Sequence, residues 1–501
     1  MKKLRKVMLI RLETLQQSQS LPAIHVVVRQ VVSNTLTSLV GQVVTSAATL
    51  LLTLVYGYFL GDVKFGELYT ATTLVLLIGI PIERGFNQQI TREVAQRPGE
   101  VLLYLSNTLV IKGTMWIVLY AGILLCSWLL GSSGEGHVLV AICGCTLLST
   151  AITNTFAALH YASGQVIFSV TGTVLEKGLS ALLGFLLLRS GAGVQAMALV
   201  LLGCSIINGA WQACWLYHER GFGFLLEWEH IRKLMSTSFP FLVYGMLSVI
   251  YYRIDTVLLS LMTSSAVVGW YGSAYRLFDM LVFLPTLVIS NSLYPVFSRY
   301  ANASTERLKV AMEKATNCLL ISGVPIATGL LVAAPGIVQA LYPRSEFMHA
   351  VPVLQALAPG LICLYMNMVS TAVLVSMRQE KKMVSMAGVA LVWNLCLNLI
   401  LIPRYQHVGA AVVTSLTELL LLVMSIAVLP RDLWPRASMR VAGKVVLASL
   451  IMVLVIWPLR ASSIVVTGAV ALLVYVGAAT LLGTLTHKEL VALYGAVVGK
   501  A

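Results

Sequence analysis

Runs of about twenty apolar residues, separated by short polar turns, repeat along nearly the whole chain. About 20 residues at 1.5 Å each cross the hydrocarbon layer as a helix, so each run reads as a membrane span. The pattern predicts about fourteen, near residues 36–60, 66–82, 105–130, 137–159, 165–188, 193–216, 239–262, 267–297, 316–341, 352–377, 383–402, 409–429, 441–459 and 462–485. An all-α polytopic membrane protein follows. Eight prolines, from Pro81 to Pro359, lie in or beside these runs and can kink helices.

Composition agrees. Of the 501 residues 58% are hydrophobic and 11% charged, against about 25% charged in soluble domains. The net charge of +14 suggests nucleic acid until its distribution is traced. Of 34 Lys and Arg, 25 fall in the termini and in alternate turns, and only five (Lys64, Arg189, Arg344, Arg404, Arg460) in the others. Under the positive-inside rule both termini are cytoplasmic in a plasma (inner) membrane, and no nucleic-acid role is expected. The basic first 35 residues lack the apolar core of a signal peptide and read as a cytoplasmic arm on anionic headgroups. Eight dispersed cysteines, all in apolar runs, and scattered histidines give no disulfide frame and no metal site. There is no P-loop motif and no room for a separate catalytic domain. An enzyme is not expected.

Residues 217–238 form the longest predicted cytoplasmic link. Phe224, Leu225, Trp228, Ile231 and Met235 would share one face of a helix lying in the interface. The link separates similar halves. Gly-Glu-Leu-Tyr-Thr-Ala at 66–71 and Gly-Trp-Tyr-Gly-Ser-Ala at 269–274 both open a span after an outer turn, six spans apart. That is a parallel repeat, an arrangement in which transporters bind cargo between two bundles. The divisions are a 1–35 arm, a 36–216 lobe, a 217–238 linker, a 239–430 lobe, and 431–501 with two further spans and a tail.

Four cations lie inside apolar runs: Lys112, Lys177, Arg253 and Arg276. A cation there costs roughly 2.5–3.5 kcal/mol on insertion scales, so such residues face a bundle interior, a cavity or a partner. Arg253 and Asp255, two apart, point about 200° from each other and cannot pair locally, whereas Arg276 and Asp279, three apart, can. Both could equally lock spans seven and eight together. Lys112 could snorkel to the inner surface. Glu176 adjoins Lys177 near the midplane, and Glu418 stands alone in span twelve as a candidate proton carrier or a hydrogen-bonded neutral acid.

Several stretches read together: Arg-Ile-Asp-Thr-Val-Leu-Leu at 253–259, Val-Gly-Trp-Tyr-Gly-Ser-Ala-Tyr-Arg-Leu at 268–277, Leu-Tyr-Pro-Val-Phe-Ser-Arg at 293–299, Trp-Asn-Leu-Cys-Leu-Asn-Leu-Ile-Leu-Ile-Pro-Arg-Tyr at 393–405, Val-Gly-Ala-Ala at 408–411 and Thr417-Glu418. Over about residues 35–430 the chain resembles the Wzx-type oligosaccharide flippases and polysaccharide exporters of the multidrug/oligosaccharidyl-lipid/polysaccharide superfamily. One departure is that Gln406-His407-Val408 stand before Gly409, where the family has glycine directly after its Ile-Pro-x-Tyr element. A slightly longer loop is expected there.

The resemblance implies two six-helix lobes around a central cavity, plus two C-terminal helices. It implies a sugar chain on polyprenyl pyrophosphate as cargo, carried from the cytoplasmic to the outer leaflet by alternating access. The partners it implies are that lipid-linked oligosaccharide, membrane lipids, and the polymerase or assembly proteins that use the cargo outside. Arg253, Arg276, Lys177 and Lys112 would meet the pyrophosphate. Asp255, Asp279, Glu176 and Glu418 would carry coupling H⁺ or Na⁺, with no other cofactor. A lipid II flippase and a multidrug or metabolite exporter are the alternatives. A membrane polymerase or sugar transferase is disfavoured by short outer turns with few charges.

Overall fold

The apolar runs fold as long helices. The computed structural model describes residues 24–83, 86–129, 134–221, 223–289, 293–301, 303–461 and 463–484. The first 23 residues of the expected arm, and the tail with Lys488 and Lys500, lie outside the described residues. In chain order the helices are α1 (Ile24–Glu83), α2 (Phe86–Gln96), α3 (Val101–Leu129), α4 (Gly134–Ala162), α5 (Val166–Arg189), α6 (Val194–Arg220), α7 (Trp228–Met262), α8 (Ser265–Val288), α9 (Tyr294–Ala301), α10 (Thr305–Leu341), α11 (Ala350–Ser376), α12 (Glu380–Val428), α13 (Ser438–Ile456) and α14 (Ile464–Leu481). No strand forms among the described residues.

Among the described residues ten of these are long and apolar enough to cross a membrane. α1 (60 residues) and α12 (49 residues) are each more than twice the length that one crossing needs, and each merges two expected spans. α1 bends at Gly61 (φ 74°), a left-handed conformation that a Cβ would oppose. Helical geometry resumes at once, so the expected outer turn reduces to a kink. α1 also reaches back to Ile24, into the stretch expected as arm.

α12 bends at Gln406 (φ 48°, ψ −129°), so the longer loop expected there does not form. Gly409 instead packs close to the Leu401 carbonyl, where an added Cβ would lie 2.7 Å from the oxygen. Gln406 thus holds a conformation natural to glycine, at the place where the family pattern has one. Gln406→Gly relieves about 1 kcal/mol of backbone strain, read as a higher melting temperature in detergent. An unchanged or lower value would contradict it.

The linker differs from expectation. Residues 223–227 form no helix, Glu227 is extended, and α7 runs unbroken from Trp228. The cause is a competing set of partners on α3. The Leu225 N–H donates to Ser106 Oγ (3.1 Å), and the Glu227 N–H to Asn107 Oδ1 (3.1 Å). Ile231 and Leu234 then bury against Phe86, Ile90 and Tyr104, tying the start of α7 to the first half of the chain. Phe224, Leu225 and Trp228 stay exposed. At the other end of the chain, α13 packs on α10 and α14 on α13, with Tyr475 donating to the Ile321 carbonyl of α10 (2.6 Å).

Candidate functional site at the seam between the halves

α1 of the first half and α8 of the second run against each other, and the residues on this seam carry the charge. Arg253, on α7, donates from Nη2 to Asp279 Oδ2 on α8 (2.7 Å) and from Nη1 to Tyr69 Oη on α1 (3.1 Å). Its guanidinium also lies over the rings of Tyr275 (4.9 Å) and Tyr252 (5.4 Å). Arg276 lies over the other partner's ring, that of Tyr69, at 5.6 Å. Among the described residues no carboxylate reaches ion-pair distance of Arg276. The local Arg276–Asp279 pair expected from spacing is therefore replaced by an interhelical one. Asp279 serves Arg253, while Arg276 reaches across to α1.

Asp255 faces elsewhere, as two residues of separation require. It accepts from Tyr271 Oη, from Thr414 Oγ1 (3.3 Å) and from the Thr256 N–H (2.6 Å). Glu418 on α12 is 2% exposed and has the Asn367 amide as its polar neighbour. It helps line a cavity of about 480 Å³ between α7, α8, α11 and α12, together with Asp279, Tyr252, Asn367, Thr371 and Met386.

Three of the expected residues do not join this group. Lys112 is fully buried and donates to Asn87 Oδ1 (2.8 Å) and to the Ala151 carbonyl (3.1 Å), so it does not snorkel. Glu83, held by the Asn154 amide (2.6 Å), supplies negative charge nearby. Lys112→Ala would leave these acceptors unanswered in a closed site, at roughly 1–3 kcal/mol for each. The expected result is loss of monodisperse protein on purification. Normal yield with selective loss of transport would instead make Lys112 a cargo ligand. Lys177 pairs with its neighbour Glu176 (2.7 Å), whose second oxygen accepts from Asn208 on α6 (2.7 Å). The Lys177 side chain keeps 36% of its surface exposed.

The end of the seam predicted to be outer is closed by the two copies of the repeat. Gly66 and Gly269 meet backbone to backbone: a Cβ on Gly66 would lie 1.8 Å from the Ser265 carbonyl oxygen, and one on Gly269 2.1 Å from that of Asp62. Trp270 Nε1 donates to Asp62 Oδ2 (2.9 Å), and Arg344 donates to the Tyr58 (2.8 Å) and Phe59 (3.2 Å) carbonyls. Sequence reasoning missed the tyrosines. The signals were present: Tyr252-Arg253 and Tyr275-Arg276 are adjacent pairs, and Tyr69 lies inside the repeat.

A family model described as polysaccharide biosynthesis protein matches residues 31–301, the first half together with Arg253, Arg276 and Asp279. The chain belongs to this family. A second model, lipid II flippase MurJ, matches residues 216–477. Among relatives, the probable flippase AglR of Haloferax volcanii is 28% identical over 50% of this chain and 53% of its own length. The probable low-salt glycan biosynthesis flippase Agl15 of the same organism is 22% identical over 72% of this chain and 75% of its own. The chain thus spans about half the length of one and three quarters of the other. Among solved structures, lipid II flippase MurJ in an inward closed conformation superposes with TM-score 0.70 at 16% identity, covering 89% of this chain and 98% of that one. An inward-facing multidrug resistance MATE transporter of the MOP superfamily follows with TM-score 0.63 at 15% identity, over 80% and 95%. The family member is a multi-pass membrane protein with the MurJ-like transporter fold.

Proposed function

We propose that this member of the polysaccharide biosynthesis family flips a polyprenyl-pyrophosphate-linked oligosaccharide from the cytoplasmic to the outer leaflet by alternating access. The observation that carries the reading is the meeting of Arg253 and Arg276 on Tyr69 across the seam. Two guanidinium groups, one without a carboxylate partner among the described residues, suit a pyrophosphate where water is scarce. The printed roles of AglR and Agl15 as probable flippases support the cargo class. The glycine crossing supports a state closed outside and loaded from the cytoplasm. Two lobes, 36–216 and 239–430, would rock about the seam, with α13 and α14 attached to the second. Both termini would lie in the cytoplasm of an inner-membrane protein, and outer polymerase or assembly proteins would take the product. Arg276 and Arg253 would hold the pyrophosphate, the half-exposed Lys177 would meet it on the way, and Lys112 would brace the first lobe. Asp279 and Glu418 are the favoured coupling acids, ahead of Asp255 and Glu176, whose oxygens are engaged by several donors. The protein would run no chemical step of its own.

The match to the MurJ model over 216–477 favours lipid II as the second reading. Deleting the gene separates the two. Loss of one surface polysaccharide with normal growth supports the first, and loss of viability supports the second.

A further inference from the structure

Asp279 has two surroundings at once. On the seam its Oδ2 accepts from Arg253 (2.7 Å), and on the other side it forms part of the wall of the Glu418 cavity. The ion pair is therefore the partition between seam and cavity. No Lys, Arg or His lines that cavity among the described residues. The titratable and charged groups facing the two acids are Arg253, Tyr251 and Tyr252 of α7, Tyr69 of α1, Arg276 of α8 beyond Tyr69, Asp255 beside Tyr271, and Cys363 of α11. Arg253 alone answers Asp279 with a salt bridge.

We propose that Asp279 is an exchange carboxylate. An anionic head group that binds Arg253 takes the place of Asp279, the released carboxylate turns into the cavity, and Asp279 takes up one proton from solvent there. This deepens the reading of Arg253 as a pyrophosphate ligand and rests on it. The physical basis is charge balance. The guanidinium fork binds a phosphate edge as readily as a carboxylate. A carboxylate that has given up its guanidinium partner and faces a largely apolar cavity with no other cation among the described residues is best compensated by a proton. The only bond formed is O–H, and the proton taken up offsets part of the negative charge brought in. Cargo and proton binding are then linked equally in both directions.

The test uses the full chain in detergent micelles, with inorganic pyrophosphate as the probe. Calorimetry in two buffers of different ionisation enthalpy reads affinity and proton number together. In the wild type, binding takes up about one proton more than in Asp279→Asn. Asp279→Asn frees Arg253 from its competitor, so it binds pyrophosphate roughly tenfold more tightly. Equal proton numbers, or weaker binding in the variant, overturn the exchange while leaving the anion site standing. No pyrophosphate binding by the wild type overturns both. If Asp279→Asn does not fold, the wild type carries the test alone, with proton number read against pH. Net proton uptake that fades as the pH is raised is expected, and pyrophosphate binding with no net uptake at any pH overturns the proposal.

Discussion

A single methyl group at Gly269 holds the predicted outer mouth open. The Cβ of Gly269→Ala would lie 2.1 Å from the Asp62 carbonyl oxygen, and that of Gly66→Ala 1.8 Å from the Ser265 oxygen. Ordinary contact needs well over 3 Å, and both obstacles are backbone, so no side chain can rotate away. The two helices must separate, which breaks the Trp270–Asp62 bond one residue further along. Overpacking of this kind costs about 1–3 kcal/mol, which shifts a two-state equilibrium roughly 5- to 150-fold. The readout is Ser273→Cys, fully buried one turn below Gly269, in a background free of the eight native cysteines. An impermeant thiol reagent added outside should label it faster by that factor in Gly269→Ala than in the parent, while glycan export falls. Equal labelling would mean that this crossing is not a gate.

Arg276→Ala cuts export steeply with little loss of folded protein. Among the described residues Arg276 has no carboxylate to orphan, only the Tyr69 face, so its removal leaves the fold intact. A charge-assisted bond to the head group is worth about 1.5–3 kcal/mol, so flipping falls roughly 10- to 150-fold. Arg253→Ala behaves differently. Export is lost and the protein still inserts, but Asp279 is left without its counter-charge and thermal stability drops. Adding Asp279→Asn to Arg253→Ala recovers stability and not export. Complementation of a deletion strain, with melting curves of each purified variant, separates these outcomes. Full export by Arg276→Ala would remove it from the cargo site.

Much of this was legible in the chain because hydrophobicity is a one-dimensional signal. The spans, the buried cations and the repeat at 66–71 and 269–274 needed only period and position. The opposed directions of Arg253 and Asp255 followed from 100° per residue. What spacing cannot supply is the identity of the facing helix. It allowed Arg276 to reach Asp279, and could not know that Arg253 stands opposite Asp279 or that Tyr69 offers Arg276 a ring. It placed Lys112 on its helix, but its enclosure by Asn87 and Ala151 depends on two other helices. The linker failed for a related reason. Its apolar spacing was real, but Ser106 and Asn107 offered the backbone partners that an extended segment could use and a helix could not.

The central claim is that cargo crosses the membrane through this protein. It is tested most directly by locating lipid-linked glycan, by leaflet, in cells that lack the protein. Intact spheroplasts are treated with an impermeant glycosidase or lectin, and the glycan that resists is extracted and weighed by mass spectrometry. The account predicts glycan accumulated on the cytoplasmic face, surface polysaccharide lost, and both restored by the wild-type chain but not by Arg276→Ala. Normal surface glycan with no accumulated intermediate would contradict it.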